Sequence, residues 1–326
     1  MATRPKNIIL RFIKSFVGRL FLVFILCVVI KAVFFDFFFI PSASMENTLY
    51  PGDYVLVNKL SVGSRLPKNL SEVPWLSVFA RTENTSSVGF SRNFRLPNFS
   101  KIKRGDVMVF NHPQDANEYM VKRCISLPGD TLTIEDTLIR VGNVPITNPK
   151  DAKMKYVVVF REGYDYKTFL SKYDITLPDD WYDRKQNSKE VFLSGDQVRQ
   201  MEADRAILMV QREKTEGLVS AVSNLVIPFK GMKIKIDSIN LKRYSHILTT
   251  YEAYFSKKYF ALNGSVKSDS FTFKNNYYFM MGDNRDQSLD SRQWGLLPEF
   301  CIVGKASYVL FSTSKIAKGR FLKAIQ

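Results

Sequence analysis

The sequence predicts a mainly β chain: an N-terminal transmembrane helix, then an all-β core that carries an α+β insertion as a cap. Three observations predict it. Residues 20–40 form an apolar run of membrane length, and short apolar–polar alternations bounded by Gly or Pro turns follow it. Two stretches, 63–101 and 150–270, break that rhythm.

The first 19 residues carry Arg4, Lys6, Arg11, Lys14 and Arg19 and no acid, so this end is expected in the cytoplasm. The run that follows, LFLVFILCVVIKAVFFDFFFI, is long enough to cross a bilayer as a helix. It exceeds the apolar core of a cleaved leader, so a retained, single-pass anchor is expected over 20–40. Lys31 and Asp36 interrupt it, which puts the end of the fully buried part near 30–35 and leaves Phe37, Phe38, Phe39 and Ile40 at the interface. Pro41 is expected to stop the helix, since it cannot continue the hydrogen-bond ladder. Ser42 and Ser44 then fall at the membrane surface. A nucleophile placed there would meet a substrate that also lives there.

Beyond the anchor, Asp53–Asn58, Asp106–Phe110 and Tyr119–Arg123 alternate with period 2 and read as strands. Pro51-Gly52-Asp53, Arg104-Gly105-Asp106 and Pro128-Gly129-Asp130 punctuate them. Residues 41–149 are expected to form the first part of the core and 271–326 the second. The excursion 63–101, rich in Ser, Asn and Pro with scattered Trp75, Phe79, Phe90 and Phe94, reads as a long loop. Within 150–270, Tyr156–Phe160 reads as a strand, and Asp165–Tyr173 and Gly195–Met201 as short helices, the second N-capped by Ser194.

A chain of 326 residues, less its anchor, has about 280 for soluble structure, enough for one core with an inserted unit. The net charge of +16 suits an anionic membrane surface or a solvated basic face. No zinc spacing, basic-region helix or interleaved RNA-binding aromatics accompany it, so nucleic acid is not an expected partner. Cys27, Cys124 and Cys301 sit in no CxxC pattern and read as buried thiols. With only His112 and His246 available, neither a metal site nor a histidine triad is expected, and no cofactor is called for.

Serine is a weak nucleophile until a base takes its proton. With histidine scarce, lysine is the alternative, provided burial lowers its pKa. Lys122 fits, because alternation places Met120, Lys122 and Cys124 on one strand face while Arg123 points the other way. Lys59, on a face with Val55 and Val57, is its rival. An arrangement with lysine three residues after serine on one helix fails, since position 47 is Asn. The third block, Gly282 to Gly295, is dense in turn formers, acids and arginines. Asp290 and Arg292 could pair there, and Ser288 or Ser291 could hydrogen-bond a buried amine. A self-satisfied turn bracing the core explains the block equally well.

Together these blocks resemble the bacterial type I signal peptidases, membrane-anchored Ser/Lys proteases that remove signal peptides from exported proteins. The resemblance rests on Pro41-Ser-Ala-Ser-Met-Glu-Asn-Thr-Leu49, Arg104-Gly-Asp106, Lys122-Arg123 with Leu127-Pro-Gly-Asp130, and Gly282-Asp-Asn-Arg-Asp286 through Gly304-Lys-Ala306. It implies an all-β catalytic core with a variable cap. It also implies Ser44 as nucleophile and Lys122 as general base, with the Ser42 hydroxyl and the Ser44 N–H as the oxyanion hole. By the same resemblance Ser288 orients the lysine amine. Asp283, Asp290 and Arg292 are structural residues near the site, the last two as an ion pair. Phe38, Ile40, Met45, Leu49, Val55, Val109, Met120 and Val121 match the lining of two shallow pockets for small residues at the cleavage site.

The implied partners are signal peptides of preproteins leaving the export machinery, and membrane lipid. The implied place is the bacterial cytoplasmic membrane, with the N-terminus cytoplasmic and the catalytic part on the outer face. The family often has proline where Asn47 stands and an aromatic where Gln293 stands. The stretches 63–101 and 150–270 match it poorly. The competing readings are an inactive envelope scaffold or binding protein, which calls for a broken dyad, and a self-processing regulator, which calls for a DNA-binding domain in place of the anchor.

Overall fold

The computed structural model describes residues 6–67, 94–135, 138–146, 153–173, 175, 188–213, 221–252, 270–314 and 317–326. Helix α1 (Lys6–Val29) continues as a wider turn over Ile30–Phe34. The segment Ser15–Phe34, with mean hydropathy 2.5, is apolar and long enough to cross a membrane. The strands that follow are β1 (Phe35–Phe39), β2 (Asp53–Asn58), β3 (Val107–His112), β4 (Asp115–Ser126), β5 (Thr131–Glu135), β6 (Leu138–Val141) and β7 (Val144–Ile146). Next come β8 (Lys153–Phe160), β9 (Ser188–Ser194) and β10 (Ile207–Arg212), then β11 (Ala221–Val226), β12 (Lys233–Lys235) and β13 (Ser270–Thr272). The chain closes with β14 (Tyr277–Met281), β15 (Leu297–Pro298), β16 (Ile302–Ser312) and β17 (Lys323–Ala324). The architecture is mainly β, as expected from the alternation.

The main sheet runs β1-β2-β16-β3-β4-β14-β15, with β17 on β16. Here the structure departs from the expected helical anchor over 20–40. Residues 35–39 form a strand that pairs antiparallel with β2, from Phe35 opposite Asn58 to Phe39 opposite Tyr54. Aromatic side chains suit a pleated, half-buried surface, and pairing with β2 gives this backbone the partners that more helix would have given. Helix therefore ends at Phe34, before Pro41 can act. Asp36 bridges Lys31 at 2.7 Å and Lys59 at 2.8 Å, so the two charges that interrupt the apolar run serve as the joint between helix and sheet.

Alternation along β2 buries Asp53, Val55 and Val57 and turns Tyr54, Leu56 and Asn58 outward. The inward side packs Val55 and Val57 with Ile40, Met45, Leu49, Val107 and Val109. On the other side of β3 and β4 a separate cluster joins Met108, Phe110, Met120 and Cys124 to Met280, Trp294 and Leu297.

The stretch expected as one insertion over 150–270 divides. Strands β10-β8-β9 form a sheet with its own core, in which Val158, Val191 and Leu193 meet Phe169 and Met201 of helices α2 (Tyr166–Lys172) and α3 (Gly195–Glu202). Asp165 caps α2, and Ser194 caps α3 in a reciprocal pair with Gln197. From residue 221 onward the chain returns: β11 pairs with β5, and Tyr244 and Ile247 of α4 (Ser238–Ile247) pack on Leu132, Ile134 and Phe273. The loop excursion keeps only its ends among the described residues, where Arg65 bridges Arg95. Trp75, Phe79 and Phe90 lie outside them. Cys124 and Cys301 are buried as expected, whereas Cys27 is exposed on α1.

Candidate active site

Between β1 and β2 the chain makes a tight turn, with Glu46 N–H donating to Ala43 O at 2.9 Å and Leu49 N–H to Met45 O at 2.7 Å. Met45 and Leu49 sink into the core and hold the turn, leaving Ser42 and Ser44 on its rim. Asn47 sits at φ +80, a left-handed conformation that asparagine tolerates and proline cannot adopt. The asparagine therefore belongs to this turn and is no neutral exchange for proline.

Lys122 reaches this turn from the middle of β4. Its Nζ lies 2.7 Å from Ser44 Oγ, and its side chain is 3% exposed. Burial pushes its pKa down to about 8, against the pull of Asp290, Asp283 and Glu118. Ser42 Oγ lies 3.3 Å from Ser44 Oγ. The rival lysine is engaged elsewhere, since Lys59 bridges Asp36 and donates to Lys31 O at 2.9 Å.

The loop after β14 closes the site. Asn284 N–H donates to Ser44 O at 3.1 Å and its Nδ2 to Ala43 O at 3.2 Å, which ties the backbone of the serine turn to this loop. Gly282 is there because nothing larger fits: a Cβ would stand 2.5 Å from both Ser44 O and Ser288 Cβ. Asp290 caps helix α5 (Ser291–Trp294), accepts from Gly282 N–H at 3.0 Å and pairs with Arg292 at 2.8 Å. Gln293, in place of an aromatic, completes that cap by accepting from Asp290 N–H at 2.7 Å. Ser291 is occupied, accepting from Met280 N–H at 2.9 Å. Ser288 Oγ is buried beside Gly282 with no hydrogen-bond partner among the described residues.

Arg123 does point away from Lys122, as alternation requires, and forks onto Asp283 at 2.8 and 2.7 Å. Thr48 donates to the same carboxylate at 2.6 Å. Arg123, Thr48 and Asn284 carry no assignment from the sequence, because the partners that place them at the site are more than 70 residues away along the chain.

Of the eight expected pocket residues, Ile40, Met45, Leu49, Val55, Val109, Phe38 and Val121 share one cluster. Met120 does not. Neighbouring positions on a strand face opposite sides, and Met120 packs with Met108 and Met280 in the cluster that excludes Val121. Neither histidine joins the site: His112 packs edge-on to Trp294, and His246 against Tyr251. No group of three or more metal-binding side chains occurs among the described residues.

A buried amine against a serine hydroxyl, braced by self-satisfied acids, equips this turn for acyl transfer. The family model for signal peptidase, peptidase S26, matches residues 13–223 and 226–311. Among curated relatives, a signal peptidase I of Buchnera aphidicola is 28% identical over 93% of this chain and 76% of its own length. One of Helicobacter pylori is 27% identical over 93% and 82%. A solved signal peptidase I from Enterococcus faecalis aligns with 63% of this chain and 97% of its own at 17% identity, with a TM-score of 0.24, too loose a superposition to place any element. With the match running through the serine turn, the lysine strand and the glycine loop, the chain belongs to the signal peptidase family, peptidase S26, and is a hydrolase of the serine endopeptidase class.

Proposed function

We propose that the chain removes signal peptides as a Ser/Lys protease, with Ser44 attacking the scissile carbonyl and Lys122 taking the Ser44 proton. The family assignment supports signal-peptide removal, and the 2.7 Å approach of a buried Lys122 Nζ to Ser44 Oγ carries the mechanism. An amine held at about 8 is part neutral near physiological pH, which lets it act as a base. The tetrahedral oxyanion is received by the Ser44 N–H and the Ser42 hydroxyl, and losing one such donor costs roughly 10²–10³ in rate. An acyl-enzyme forms as the protonated Lys122 gives its proton to the mature protein's departing amine, which leaves Lys122 neutral again. Lys122 then activates the water that frees the signal peptide.

Ser288 is the positioning hydroxyl in this reading: its buried Oγ makes no hydrogen bond among the described residues, to Lys122 or to any other, and so is open to receive the amine. Asp283, Asp290 and Arg292 hold the loop rather than touch the reacting atoms. In this reading the small residues before the cut dock beside the apolar cluster of Ile40, Val55, Val109 and Val121. The anchor Ser15–Phe34 keeps the site at the membrane, with the basic N-terminus on the cytoplasmic side.

The test is cleavage of a detergent-solubilised preprotein with an Ala-x-Ala site. Cutting after the second Ala, resistant to EDTA and lost by at least 10³-fold in both Ser44→Ala and Lys122→Ala, is the expected result. Activity surviving Ser44→Ala would overturn the assignment of the nucleophile.

A further inference from the structure

A cavity of about 1260 Å³ opens between the β8–β10 unit and the main sheet. That is more room than a drug-sized ligand needs. Apolar side chains from both sides form much of its wall, among them Ile125, Ile146, Met154, Leu193 and Ile325. Four arginines reach it as well, and three are already answered. Arg123 is forked onto Asp283, Arg104 bridges Asp130 at 2.7 Å, and Arg199 pairs with Asp196.

Arg285 is the exception. It is 3% exposed, yet its guanidinium meets no oxygen acceptor among the described residues. Nε is enclosed without a partner, and Nη1 touches only Met281 Sδ at 3.7 Å. Buried charges are normally paired, because desolvation otherwise penalises the charged form. The neighbouring carboxylates are engaged: Asp283 by Arg123, Asp290 by Arg292, and Asp286 by the Lys155 N–H at 2.6 Å. Burial pulls the Arg285 pKa to about 10, which leaves it charged at neutral pH.

We propose that this cavity binds an acid carried on an apolar chain, its oxyanion on Arg285 and its chain against Ile125, Ile146, Met154 and Leu193. The missing counter-charge requires the acid, and the apolar wall requires the chain. A membrane supplies such molecules in two forms, phospholipid phosphates and free fatty-acid carboxylates. Asn47 and Thr48 of the serine turn border the cavity but neither Ser44 nor Lys122 lines it, so the proposal does not depend on the peptidase reading.

The test is calorimetric titration of the full chain in a non-ionic maltoside with octyl phosphate, octanoate, inorganic phosphate, a chain-free Glu-rich peptide and octyltrimethylammonium. At least one of the two chain-bearing acids is expected to bind at least tenfold tighter than inorganic phosphate or the cation. Tighter octyl phosphate assigns the site to phospholipid, and tighter octanoate to free fatty acid. Arg285→Met is expected to weaken binding at least tenfold. Ile146→Glu, which sets a negative charge on the half-buried edge of β7, is expected to do the same and decides the matter if Arg285→Met does not fold. The proposal is overturned if the wild type binds neither acid or binds the cation as tightly. Unchanged binding in the folded variants also overturns it. So does tighter binding of a chain-free Glu-rich peptide, which would assign the cavity to an acidic polypeptide segment.

Discussion

In the proposed dyad Lys122 acts only as a neutral amine, so its protonation sets both rate and stability. Its pKa of about 8 in the folded chain lies below the 10.5 of an ordinary lysine, because burial penalises the ammonium. Below about pH 8 the base is protonated, and kcat/KM is expected to fall about tenfold per pH unit, levelling off above it. The same shift means that the unfolded chain binds the proton more tightly than the folded one between about 8 and 10.5. The folded state therefore carries a penalty that is full below about pH 8 and fades as pH rises toward 10.5. About 2.5 units corresponds to about 3 kcal/mol. Lys122→Met is accordingly expected to be inactive yet more stable by an amount of that order at pH 7, with the gain shrinking above pH 8 in denaturant titrations. Gly282 makes the complementary case for geometry. In Gly282→Ala the new methyl competes with Ser44 O and Ser288 for the same space, so Ser44 shifts from Lys122. A loss of at least 10²-fold in kcat, with the circular dichroism spectrum kept, is the expected outcome. A fully active Gly282→Ala would refute the close approach.

Strand β8 belongs to the inserted unit, yet its first residues hold the loop that follows β14. Lys153 N–H donates to Asp283 O at 3.1 Å, and its buried ammonium meets Glu46, two residues past Ser44, at 3.0 Å. Lys155 N–H donates to Asp286 at 2.6 Å, with Arg212 of β10 3.7 Å from the same carboxylate. These contacts make the unit a clamp on both the serine turn and the loop that receives it. Lys153→Met is expected to leave Glu46 charged and unpaired in a half-buried place and to lower kcat about tenfold with little change in KM. The swap Glu46→Lys with Lys153→Glu is expected to recover part of that loss, and no recovery would make Lys153 a purely local stabiliser. None of this was legible in the sequence, because nothing local marks a lysine whose partner lies 107 residues away. What was legible rests on local physics: period-2 runs mark β2, β3 and β4, and Ser194 as an N-cap marks the start of α3. Lys122 was legible as a charge on an apolar strand face, although its rival Lys59 had the same pattern. Only the fold separates them, by supplying Asp36 to one and Ser44 to the other. The end of the anchor was misjudged because FDFFF is apolar in composition. That property serves a lipid-facing helix and an edge strand alike.

The whole molecule is asymmetric in a way that bears on where it works. Helix α1 runs without a break through the turn at 30–34 into β1, so the edge of the main sheet begins where the apolar segment ends. The outward face of that edge is aromatic. Phe39 packs against Tyr54, which stacks on Phe311 at 4.4 Å, and Phe37, Tyr308 and Phe321 add further exposed rings. Single exposed apolar residues need no explanation, but a contiguous patch of this kind marks a surface for membrane or protein. Its continuity with the helix favours membrane, where aromatic rings settle at the headgroup level. On this reading the patch seats the catalytic sheet on the bilayer and brings Ser44 to a cleavage site presented from the lipid. Replacing Phe311 and Phe321 by serine touches neither the dyad nor the apolar pocket, so it separates seating from chemistry. Cleavage of a short soluble peptide is expected to stay within about twofold of wild type. Cleavage of a preprotein embedded in liposomes is expected to fall at least tenfold, through KM. Equal losses on both substrates would place the aromatic face in the folding of the sheet instead. No loss on either would leave α1 as the sole attachment to the membrane.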